Sequence, residues 1–379
     1  MTIRPASRLD SVEISLIRQI NALVTPDHVN LGIGEPNLEP DSFLREMARK
    51  AATEGSWRYT ANAGNLSLRE KLAARLGGKT DPASEICITA GTEEGLHAIM
   101  QAFIESGDEV LIPDPGFLSY ATLTRLAGGT PRTYPLEPPD WSVNLQRLSE
   151  SITPATKMII INCPSNPMGS SLPQEILGQI VEIAREKNLI VVSDEVYGEI
   201  FYEQRPASLL GSDDRVIVVG GLSKSHSMTG LRLGWMVASP EIMRSLVKTH
   251  QYIATCASAF SQSLAELIFD HPNQDQDWLE TCREAFRRQR DAALEAIQRE
   301  LDFPLTPPAG AFYAFVPVPS CDTVGLAMAL AKEARVLAIP GVAFGSGGEG
   351  FLRLSFAAEV DQIEEGVRRI GAYLSSMGR

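Results

Sequence analysis

Apolar residues follow two patterns in this chain, short continuous runs and helix-like repeats, and the two alternate between residues 86 and 238. Continuous runs of about four to eight apolar residues bounded by turn residues are typical of buried strands. Such strands, separated by helix-length segments, indicate a mostly parallel sheet with helices on both faces. We therefore predict an α/β fold whose sheet contains seven strands, at Ile86–Thr89, Glu109–Ile112, Thr130–Tyr134, Met158–Asn162, Leu189–Val192, Val216–Val219 and Leu231–Ala238.

The pattern changes towards both ends of the chain. Before the first of these strands, a strand-like run at Val29–Pro36 is broken by glycine and proline, and helical spacing occurs at Arg8–Leu23, at Ser42–Thr53 and after a turn at 64–66. After the last strand, the spacing predicts a long helix at Asp277–Leu301, then strands near 312–316 and 351–356 and a closing helix from Val360. This division predicts a large domain at residues 41–277 and a smaller α+β domain formed by residues 1–40 and 278–379.

The composition is that of a soluble globular protein, with 44% hydrophobic and 21% charged residues among 379. The net charge of −13, from 34 basic and 47 acidic residues, argues against nucleic acid or an anionic membrane as the main partner. No run approaches the roughly 18 apolar residues of a membrane span, and the N-terminus lacks the apolar core of a signal peptide. An anionic cofactor would have to be held by local positive groups.

Cysteine and histidine spacings support neither a disulfide framework nor a metal site. The five cysteines show no C-x-x-C spacing, and the five histidines form no HExxH motif. We therefore expect a cytoplasmic protein without a catalytic metal. The cysteines are Cys87, Cys163, Cys256, Cys282 and Cys321.

One lysine lies in an unusual place. The connector between the last two predicted strands of the sheet contains Lys224, and Arg232 follows eight residues later. An ammonium buried between apolar strands is costly unless something compensates. Lys224 is therefore a solvated surface charge, a group at the mouth of a site, or a lysine bonded to an aldehyde as a Schiff base. A P-loop is excluded, because Ser223 precedes the lysine where that motif requires glycine.

The sequence SKSHSMTGLRLGW, at Ser223–Trp235, resembles the lysine signature of the class I and II aminotransferases, which are fold-type-I pyridoxal phosphate enzymes. The resemblance implies that Lys224 carries pyridoxal 5'-phosphate as a Schiff base and that Arg232 binds its phosphate. It also implies amino acid and 2-oxo acid substrates and a homodimer with shared active sites. One position departs from the family pattern, because Gly221 occupies the place of a serine that usually contacts the phosphate.

Polar residues also follow two other predicted strands. Asp194 comes directly after one of them, where a carboxylate is costly unless it meets a positive partner. A protonated pyridine nitrogen would be such a partner, and the pairing would keep the ring electron-withdrawing. Asn166 follows the preceding strand in an N-P-x-G turn, which proves little by itself. The resemblance implies that Asn166 and Tyr197 hydrogen-bond the 3-oxygen of the cofactor.

Gly91, Thr92 and Glu93 form the predicted N-terminus of a helix, where free amides and the helix dipole favour anions. A simple helix cap at Thr92 is the alternative. The resemblance implies that the three positions bind the cofactor phosphate, with Glu93 contributing only its amide because its carboxylate would repel the phosphate. Phe117, in the turn PDPGFLSY, matches the aromatic residue that stacks on the pyridine ring, with a core role as the alternative.

Three more residues match motifs of the resembled family. Gly34, in VNLGIGEP, corresponds to a glycine whose backbone touches the substrate carboxylate, and Tyr59 to a tyrosine that reaches the partner subunit's cofactor phosphate. Arg353, in FLRLSF, corresponds to the arginine that clamps the substrate α-carboxylate, with a surface salt bridge as the alternative. The preceding GSGGEG formally fits a dinucleotide motif, but it leads into a strand instead of following one.

The sequence therefore predicts a pyridoxal phosphate-dependent aminotransferase in which Lys224, Asp194 and Tyr197 are the catalytic groups and Lys224 moves the proton from the substrate's α-carbon. The nearest alternative is a β- or γ-lyase on the same scaffold, because a fold does not decide the chemistry. A non-catalytic, cofactor-binding regulator is a third alternative. It would need a DNA-binding domain, which we do not expect, since the resemblance begins near residue 30.

Overall fold

The computed structural model describes residues 4–303, 305–320 and 322–378, so that Cys321 lies outside the described residues. Numbered along them, the strands are β1 (Val29–Asn30), β2 (Ile86–Thr89), β3 (Glu109–Asp114), β4 (Thr130–Glu137), β5 (Ser142–Val143), β6 (Thr156–Asn162), β7 (Ile190–Asp194), β8 (Val216–Gly221), β9 (Gly234–Val237), β10 (Tyr313–Pro317), β11 (Val336–Leu337), β12 (Ile339–Pro340) and β13 (Phe351–Ser355). The α-helices are α1 (Leu16–Asn21), α2 (Ser42–Glu54), α3 (Leu66–Arg75), α4 (Thr92–Phe103), α5 (Ser119–Leu126), α6 (Leu145–Ser151), α7 (Gln174–Glu186), α8 (Leu222–Ser225), α9 (Pro240–Ala254), α10 (Ala259–Phe269), α11 (Pro272–Leu301), α12 (Thr323–Ala329) and α13 (Val360–Ser376).

The largest sheet of the described chain has eight strands in the order β2-β9-β8-β7-β6-β3-β4-β5. Its central strands pair in parallel, whereas β9 runs antiparallel to both of its neighbours. The predicted α/β fold is confirmed, and the seven predicted strands are all present. The additional strand, β5, has two residues and pairs with β4 at the edge of the sheet.

One strand of this sheet starts later than predicted. β9 begins at Gly234 and not at Leu231. The chain first forms a 3₁₀ turn at Thr229–Leu231, and Arg232 then adopts a left-handed backbone with φ of 53°. The apolar run therefore enters the sheet only after this turn.

Helices cover both faces of the sheet because successive side chains of a strand point to opposite sides. In β8, Ile217 and Val219 belong to an apolar cluster shared with α4, α5 and α9. Val216 and Val218 belong to a cluster shared with α6 and α7. In a sheet of this kind, ligands bind beyond the carboxyl ends of the strands, where the loops converge.

The other strands form two smaller sheets. β10, β13 and β12 make an antiparallel sheet, and β1 pairs in parallel with β11. The long helix α11 packs against α13 and buries Trp278, Leu279 and Phe286. This helix starts at Pro272 and not at Asp277, so the predicted domain boundary at 277/278 falls within it. The division into two domains stays a prediction.

The N-terminal segment differs from the prediction of one helix at Arg8–Leu23. The structure has a 3₁₀ turn at Ser7–Leu9 and an α-helix only at Leu16–Asn21. Leu9 is 45% exposed and Ile14 is 73% exposed, so these apolar positions have little core to pack against. Short helices depend on such packing for most of their stability, which explains why the helical spacing is not realised along the whole segment.

Within the described ranges, every helix is too short or too polar to cross a bilayer. The described cysteines, Cys87, Cys163, Cys256 and Cys282, are free thiols. No group of three or more His, Cys, Asp or Glu side chains in this part of the chain could hold a metal ion.

Candidate active site

Three predicted ionisable residues lie at the carboxyl ends of two central strands and in the middle of β13, where the third, Arg353, is found. Asp194 is the last residue of β7, and Lys224 lies in α8, which begins directly after β8. We define the large-sheet half of the site as Asn166, Asp194, Tyr197, Lys224, Arg232 and the first turn of α4. We define the small-sheet half as Gly34, Tyr313, Phe344 and Arg353.

Hydrogen bonds from three parts of the chain reach across to the small-sheet half. They bring together five of the residues predicted from sequence, with Tyr313 as the additional partner. The pairs are Lys224 Nζ donating to the carbonyl of Gly34 at 2.6 Å, the hydroxyls of Tyr197 and Tyr313 at 2.7 Å, and an Nη of Arg353 donating to Oδ1 of Asn166 at 3.2 Å.

Asp194 is a buried carboxylate, only 3% exposed. Its Oδ2 accepts a hydrogen bond from the hydroxyl of Tyr120 at 2.7 Å, and its Oδ1 accepts one from the amide of Val196 at 3.2 Å. Burial raises the pKa of Asp194 to about 6, although these two hydrogen bonds oppose the rise. A cationic ligand beside Asp194 would therefore stabilise the charged form.

Lys224 is half-buried, and charges from both halves of the site act on its amine. Burial lowers the pKa of Lys224 to about 8, and the charges of Arg353 and Arg232 also lower it, against the opposing charges of Glu35 and Asp194. An amine with this pKa is neutral in a useful fraction of molecules near neutral pH. It can therefore act as a nucleophile or as a base.

Buried polar contacts anchor the turn that carries Lys224. The carbonyl of Ser225 accepts a hydrogen bond from Nε1 of Trp278 at 3.0 Å, and the Ser225 hydroxyl lies 2.8 Å from Nδ1 of His226. The other ring nitrogen of His226 lies 2.7 Å from Oδ1 of Asp275. These contacts fix the backbone on the C-terminal side of Lys224, so its amine moves mainly through its own side-chain torsions.

Arg232 and the start of α4 form a positively polarised corner. The exposed Arg232 donates to the carbonyl of Thr229 at 2.8 Å, and its guanidinium lies so close to Gly91 that a Cβ there would be 2.5 Å from a guanidinium nitrogen. Gly91, with φ of 86°, is the N-cap of α4, and no side chain of the described chain caps this end. Thr92 is the first helical residue, so the alternative that it caps the helix is wrong. The carboxylate of Glu93 is exposed.

Gly221, the departure from the family pattern, lies at the end of β8 opposite Gly234 of β9. A Cβ at Gly221 would lie 2.9 Å from the carbonyl oxygen of Leu233. A serine therefore does not fit here without a backbone shift. The close approach of β8 and β9 therefore favours glycine at this position.

Arg353 is 2% exposed, and its guanidinium carbon lies 4.5 Å from the ring centroid of Tyr313 and 5.0 Å from that of Phe344. Its two Nη atoms donate to the carbonyl of Gly32 and to Asn166, whereas its Nε has no hydrogen-bond partner among the described residues. The alternative of a surface salt bridge is wrong, because the side chain is buried. A carboxylate would supply the missing acceptor and the counter-charge.

Phe117 and Tyr59, two further predicted residues, take no part in the hydrogen bonds across the site. The half-buried ring of Phe117 packs edge-on against Tyr120, with 5.6 Å between centroids, and therefore lies beside the residue that hydrogen-bonds Asp194. Tyr59 is 87% exposed, as is Trp57 in the same loop. No hydrogen bond or ring contact within the described chain joins Tyr59 to the other predicted residues.

Two residues of the site, Tyr120 and Tyr313, are not predicted from the sequence. Tyr120 follows Phe117 by three residues, a spacing that puts two side chains on the same side of a helical turn. Tyr313 begins β10 between apolar neighbours. A buried tyrosine needs a hydrogen-bond partner. A tyrosine in a segment predicted to be buried could therefore have been chosen as a candidate site residue, although its partner could not have been named.

The strand order and the position of the lysine beyond β8 define the class of this protein, a fold-type-I transferase. The family model of class I and II aminotransferases matches residues 26–370. The chain therefore belongs to this family and is an aminotransferase. Enzymes of the family use pyridoxal phosphate and act on amino acids and oxo acids.

Relatives cover nearly the whole chain. A probable aspartate aminotransferase from Methanocaldococcus jannaschii is 37% identical over 95% of this chain and 97% of its own length. An aromatic-amino-acid aminotransferase from Thermococcus litoralis is 34% identical over 96% of this chain and 97% of its own. The solved structure of an aspartate aminotransferase from Thermus thermophilus with maleate has a TM-score of 0.92 at 28% identity, covering 98% of this chain and 100% of that one. The predicted family, fold class and activity are confirmed.

Proposed function

We propose that this aminotransferase holds pyridoxal 5'-phosphate on Lys224 and moves an amino group between an α-amino acid and a 2-oxo acid. One observation carries the proposal. The amine of Lys224 and the buried guanidinium of Arg353 donate to the carbonyls of Gly34 and Gly32, two residues apart, and Nε of Arg353 has no partner in the described chain. The amine is suited to bond an aldehyde and the guanidinium to bind a carboxylate, so both can engage one small substrate.

The large-sheet half fits the polar groups of the cofactor. A phosphate requires positive charge and free amides, a protonated ring nitrogen requires a carboxylate, and the 3-oxygen of the ring requires hydrogen-bond donors. Phe117 offers an aromatic ring beside this half for stacking. The proposed groups are Arg232 with the amides of Gly91, Thr92 and Glu93 for the phosphate, Asp194 for the ring nitrogen, and Tyr197 with Asn166 for the 3-oxygen.

The side chains of the site would divide the chemistry between them. Bound pyridoxal phosphate supplies an electron sink for the carbanion that forms when the α-proton of the substrate leaves. Once the amino group of the substrate has displaced it from the cofactor, Lys224 Nζ would take that proton and later return it, which suits an amine with a pKa of about 8. The hydroxyl of Tyr120 holds the carboxylate of Asp194 in place at 2.7 Å. Arg353 holds the carboxylate of the substrate and so orients the bond to the α-proton.

We also propose that the protein is a homodimer in which Tyr59 of each subunit contacts the phosphate of the other. Three aromatic side chains support an interface at this surface, because Trp57 and Tyr59 are each 87% exposed and Tyr252 is 83% exposed. Their two segments are joined by a hydrogen bond from Asn62 to the carbonyl of Thr255. Exposed aromatic side chains on adjoining segments are typical of protein interfaces.

The proposed two-domain division would allow the site to close over a substrate. Residues 1–40 and 278–379 carry the small-sheet half, and a small rotation of this part would exclude water from the bound substrate. Gly34 and Arg353 bond Lys224 and Asn166 across the site in the free protein. Cofactor and substrate would bind the same groups. When they bind, the hydrogen bonds within the free protein would be replaced by hydrogen bonds to the ligands, so their number would not fall.

A single-turnover assay tests the proposed function. The protein loaded with pyridoxal phosphate is mixed with one amino acid and no acceptor, and the 2-oxo acid, ammonia and cofactor absorbance are measured. Because relatives are named for aspartate and for aromatic amino acids, donors of both kinds belong in the assay. An aminotransferase forms about one 2-oxo acid per subunit and then stops until an oxo acid is added. Continuous release of ammonia would indicate a lyase and would contradict the proposal.

A further inference from the structure

Tyr197 and Tyr313 form a buried pair of phenols between the two halves of the site. Their hydroxyl oxygens lie 2.7 Å apart, and their rings meet edge-on with centroids 5.7 Å apart. Within the described chain, neither hydroxyl makes another hydrogen bond. Gly34 leaves room for this arrangement, because a Cβ there would lie 2.4 Å from the Tyr313 hydroxyl. The pair is therefore packed into one geometry.

A hydroxyl carries one proton, so the pair has two states. If Tyr197 donates to Tyr313, its proton is used and cannot reach a cofactor. If Tyr313 donates to Tyr197, the Tyr197 proton is free to point elsewhere, and the incoming hydrogen bond polarises the hydroxyl and makes it a stronger donor. The direction of this one hydrogen bond decides what Tyr197 can offer a ligand.

The surroundings favour donation by Tyr313. The guanidinium of Arg353 lies over the Tyr313 ring, 4.5 Å from the centroid. Burial raises the pKa of both phenols, and the charge of Arg353 opposes the rise at both. Of the two phenols, Tyr313 is the one whose ring lies beneath the guanidinium, so its hydroxyl receives the stronger acidifying influence. Asp194 is the acidic side chain that acts on Tyr197, and its charge makes that phenol a still weaker acid. The stronger acid of such a pair is the better donor.

We propose that Tyr313 is a positioning residue whose hydroxyl donates to Tyr197 and thereby reserves the Tyr197 proton for the 3-oxygen of the cofactor. This inference rests on the proposed binding of pyridoxal phosphate at Lys224. Tyr313 does not need to touch the cofactor, because it acts through Tyr197. Arg353 then has a second task beside binding the substrate, since its charge sets the direction of the tyrosine pair.

The test is the pH titration of the pyridoxal phosphate absorbance in the loaded protein, which reports the proton on the nitrogen that joins Lys224 to the cofactor. Tyr313→Phe keeps the ring and its contact with Arg353 but removes the hydroxyl. Tyr197 would then be a weaker hydrogen-bond donor, and the negative charge on the 3-oxygen would be less stabilised. The proton on the nitrogen that joins Lys224 to the cofactor would therefore be bound more tightly. The pKa of the absorbance change should rise by roughly 0.1–0.7 unit, less than in Tyr197→Phe.

Two comparisons separate this role from a general loss of packing. In the double variant Tyr197→Phe with Tyr313→Phe, the pKa should rise no further than in Tyr197→Phe alone. Tyr134→Phe is the matched control, because this buried phenol donates to the carbonyl of Ile160 at 2.9 Å, and its loss should leave the titration unchanged. Fluorotyrosine at position 313, a stronger acid, should lower the pKa and tests the proposal even if Tyr313→Phe folds poorly.

An unshifted pKa in Tyr313→Phe with normal cofactor content would overturn the inference, as would additive shifts in the double variant or a rise with fluorotyrosine. A different outcome would reject the proposed function itself. In that case the wild-type protein would show no absorbance change on addition of pyridoxal phosphate.

Discussion

Two buried charges of opposite sign face the site, and their surroundings differ. Asp194, in the large-sheet half, accepts hydrogen bonds on both carboxylate oxygens, and burial raises its pKa to about 6. Burial disfavours the charged form of Arg353 too, and so lowers its pKa. A guanidinium nevertheless remains charged at any physiological pH. Arg353 therefore stays buried in its charged form, and its Nε lacks a hydrogen-bond acceptor in the described chain.

The two halves therefore differ in what compensates each buried charge. A proton or a cationic ring nitrogen neutralises the charge of Asp194, so the large-sheet half should respond to pH and to the cofactor. An anion is needed to neutralise the charge of Arg353, so the small-sheet half should respond to the substrate. Lys224 lies in the field of both charges, so both halves of the site act on its amine.

Lys224→Ala should have the largest effect. Turnover should fall by at least about 10³-fold, because the nucleophile and the proton-transfer group are lost together. Borohydride reduction followed by mass spectrometry should no longer find pyridoxal phosphate attached to the chain. Lys187→Ala, at an exposed lysine, is the matched control and should behave as wild type. Catalysis that survives in Lys224→Ala would remove this residue from the centre of the site.

Arg353→Ala should lower kcat/KM by an amount equivalent to about 2–5 kcal/mol, because a buried charge partner of the substrate carboxylate is lost. Arg353→Lys should recover only part of this loss, since an ammonium lacks the two-pronged geometry of the guanidinium. Cofactor content should stay normal in both variants. The control is Arg368→Ala, on the exposed face of α13. A loss of cofactor together with activity would show that the two halves do not act separately.

Asp194 should make the cofactor-free protein less stable as pH rises. Its folded-state pKa of about 6 lies above the ordinary value of 3.8, so its favourable contribution is present below about pH 4 and is lost as the pH passes through about 6. The expected loss is about 3 kcal/mol. It is measured as the difference in urea unfolding between wild type and Asp194→Asn across this pH range.

Pyridoxal phosphate is the control for the Asp194 measurement. A protonated ring nitrogen beside the carboxylate should remove most of the loss in the wild-type protein. Parallel pH dependences for cofactor-free wild type and Asp194→Asn would mean that Asp194 is not the strained group, and the contrast with Arg353 would fail.

Tyr59 should have the smallest effect of the four. Tyr59→Phe would remove one hydrogen bond to a charged phosphate, which is worth about 1.5–3 kcal/mol of cofactor affinity. Titration with pyridoxal phosphate measures the loss, and Tyr373→Phe in α13 is a control for removal of a distant phenol. A wild-type protein that is active as a monomer would refute the role across an interface.

Mixed dimers make the test of Tyr59 more specific. In a hybrid of one Tyr59→Ala subunit and one Lys224→Ala subunit, one of the two sites would contain an intact Lys224 and an intact Tyr59 from the partner. Activity should therefore return on mixing and approach half of the wild-type value per dimer. No recovery on mixing would mean that each site uses its own Tyr59.

Much of the large-sheet half could be predicted because its residues follow strands that local pattern reveals. Lys224, Asp194 and Asn166 each come within a few residues of an apolar run, so their place at the edge of the sheet follows from the strand assignment. The start of β9 was wrong because an apolar run does not show that Arg232 turns the chain with a positive φ. The N-terminal helix was wrong because spacing does not show whether a core lies beneath it.

By itself the sequence determined which segments are strands and which polar residues end them, since periodicity and burial are properties of neighbouring residues. Only the tertiary structure decided the partners within the site. Tyr120 meets Asp194 across 74 residues of chain, Tyr197 meets Tyr313 across 116, and Gly34 meets Lys224 across 190. Hydrogen bonds form only over about 3 Å, and no local pattern fixes distances of that size between segments so far apart in the chain.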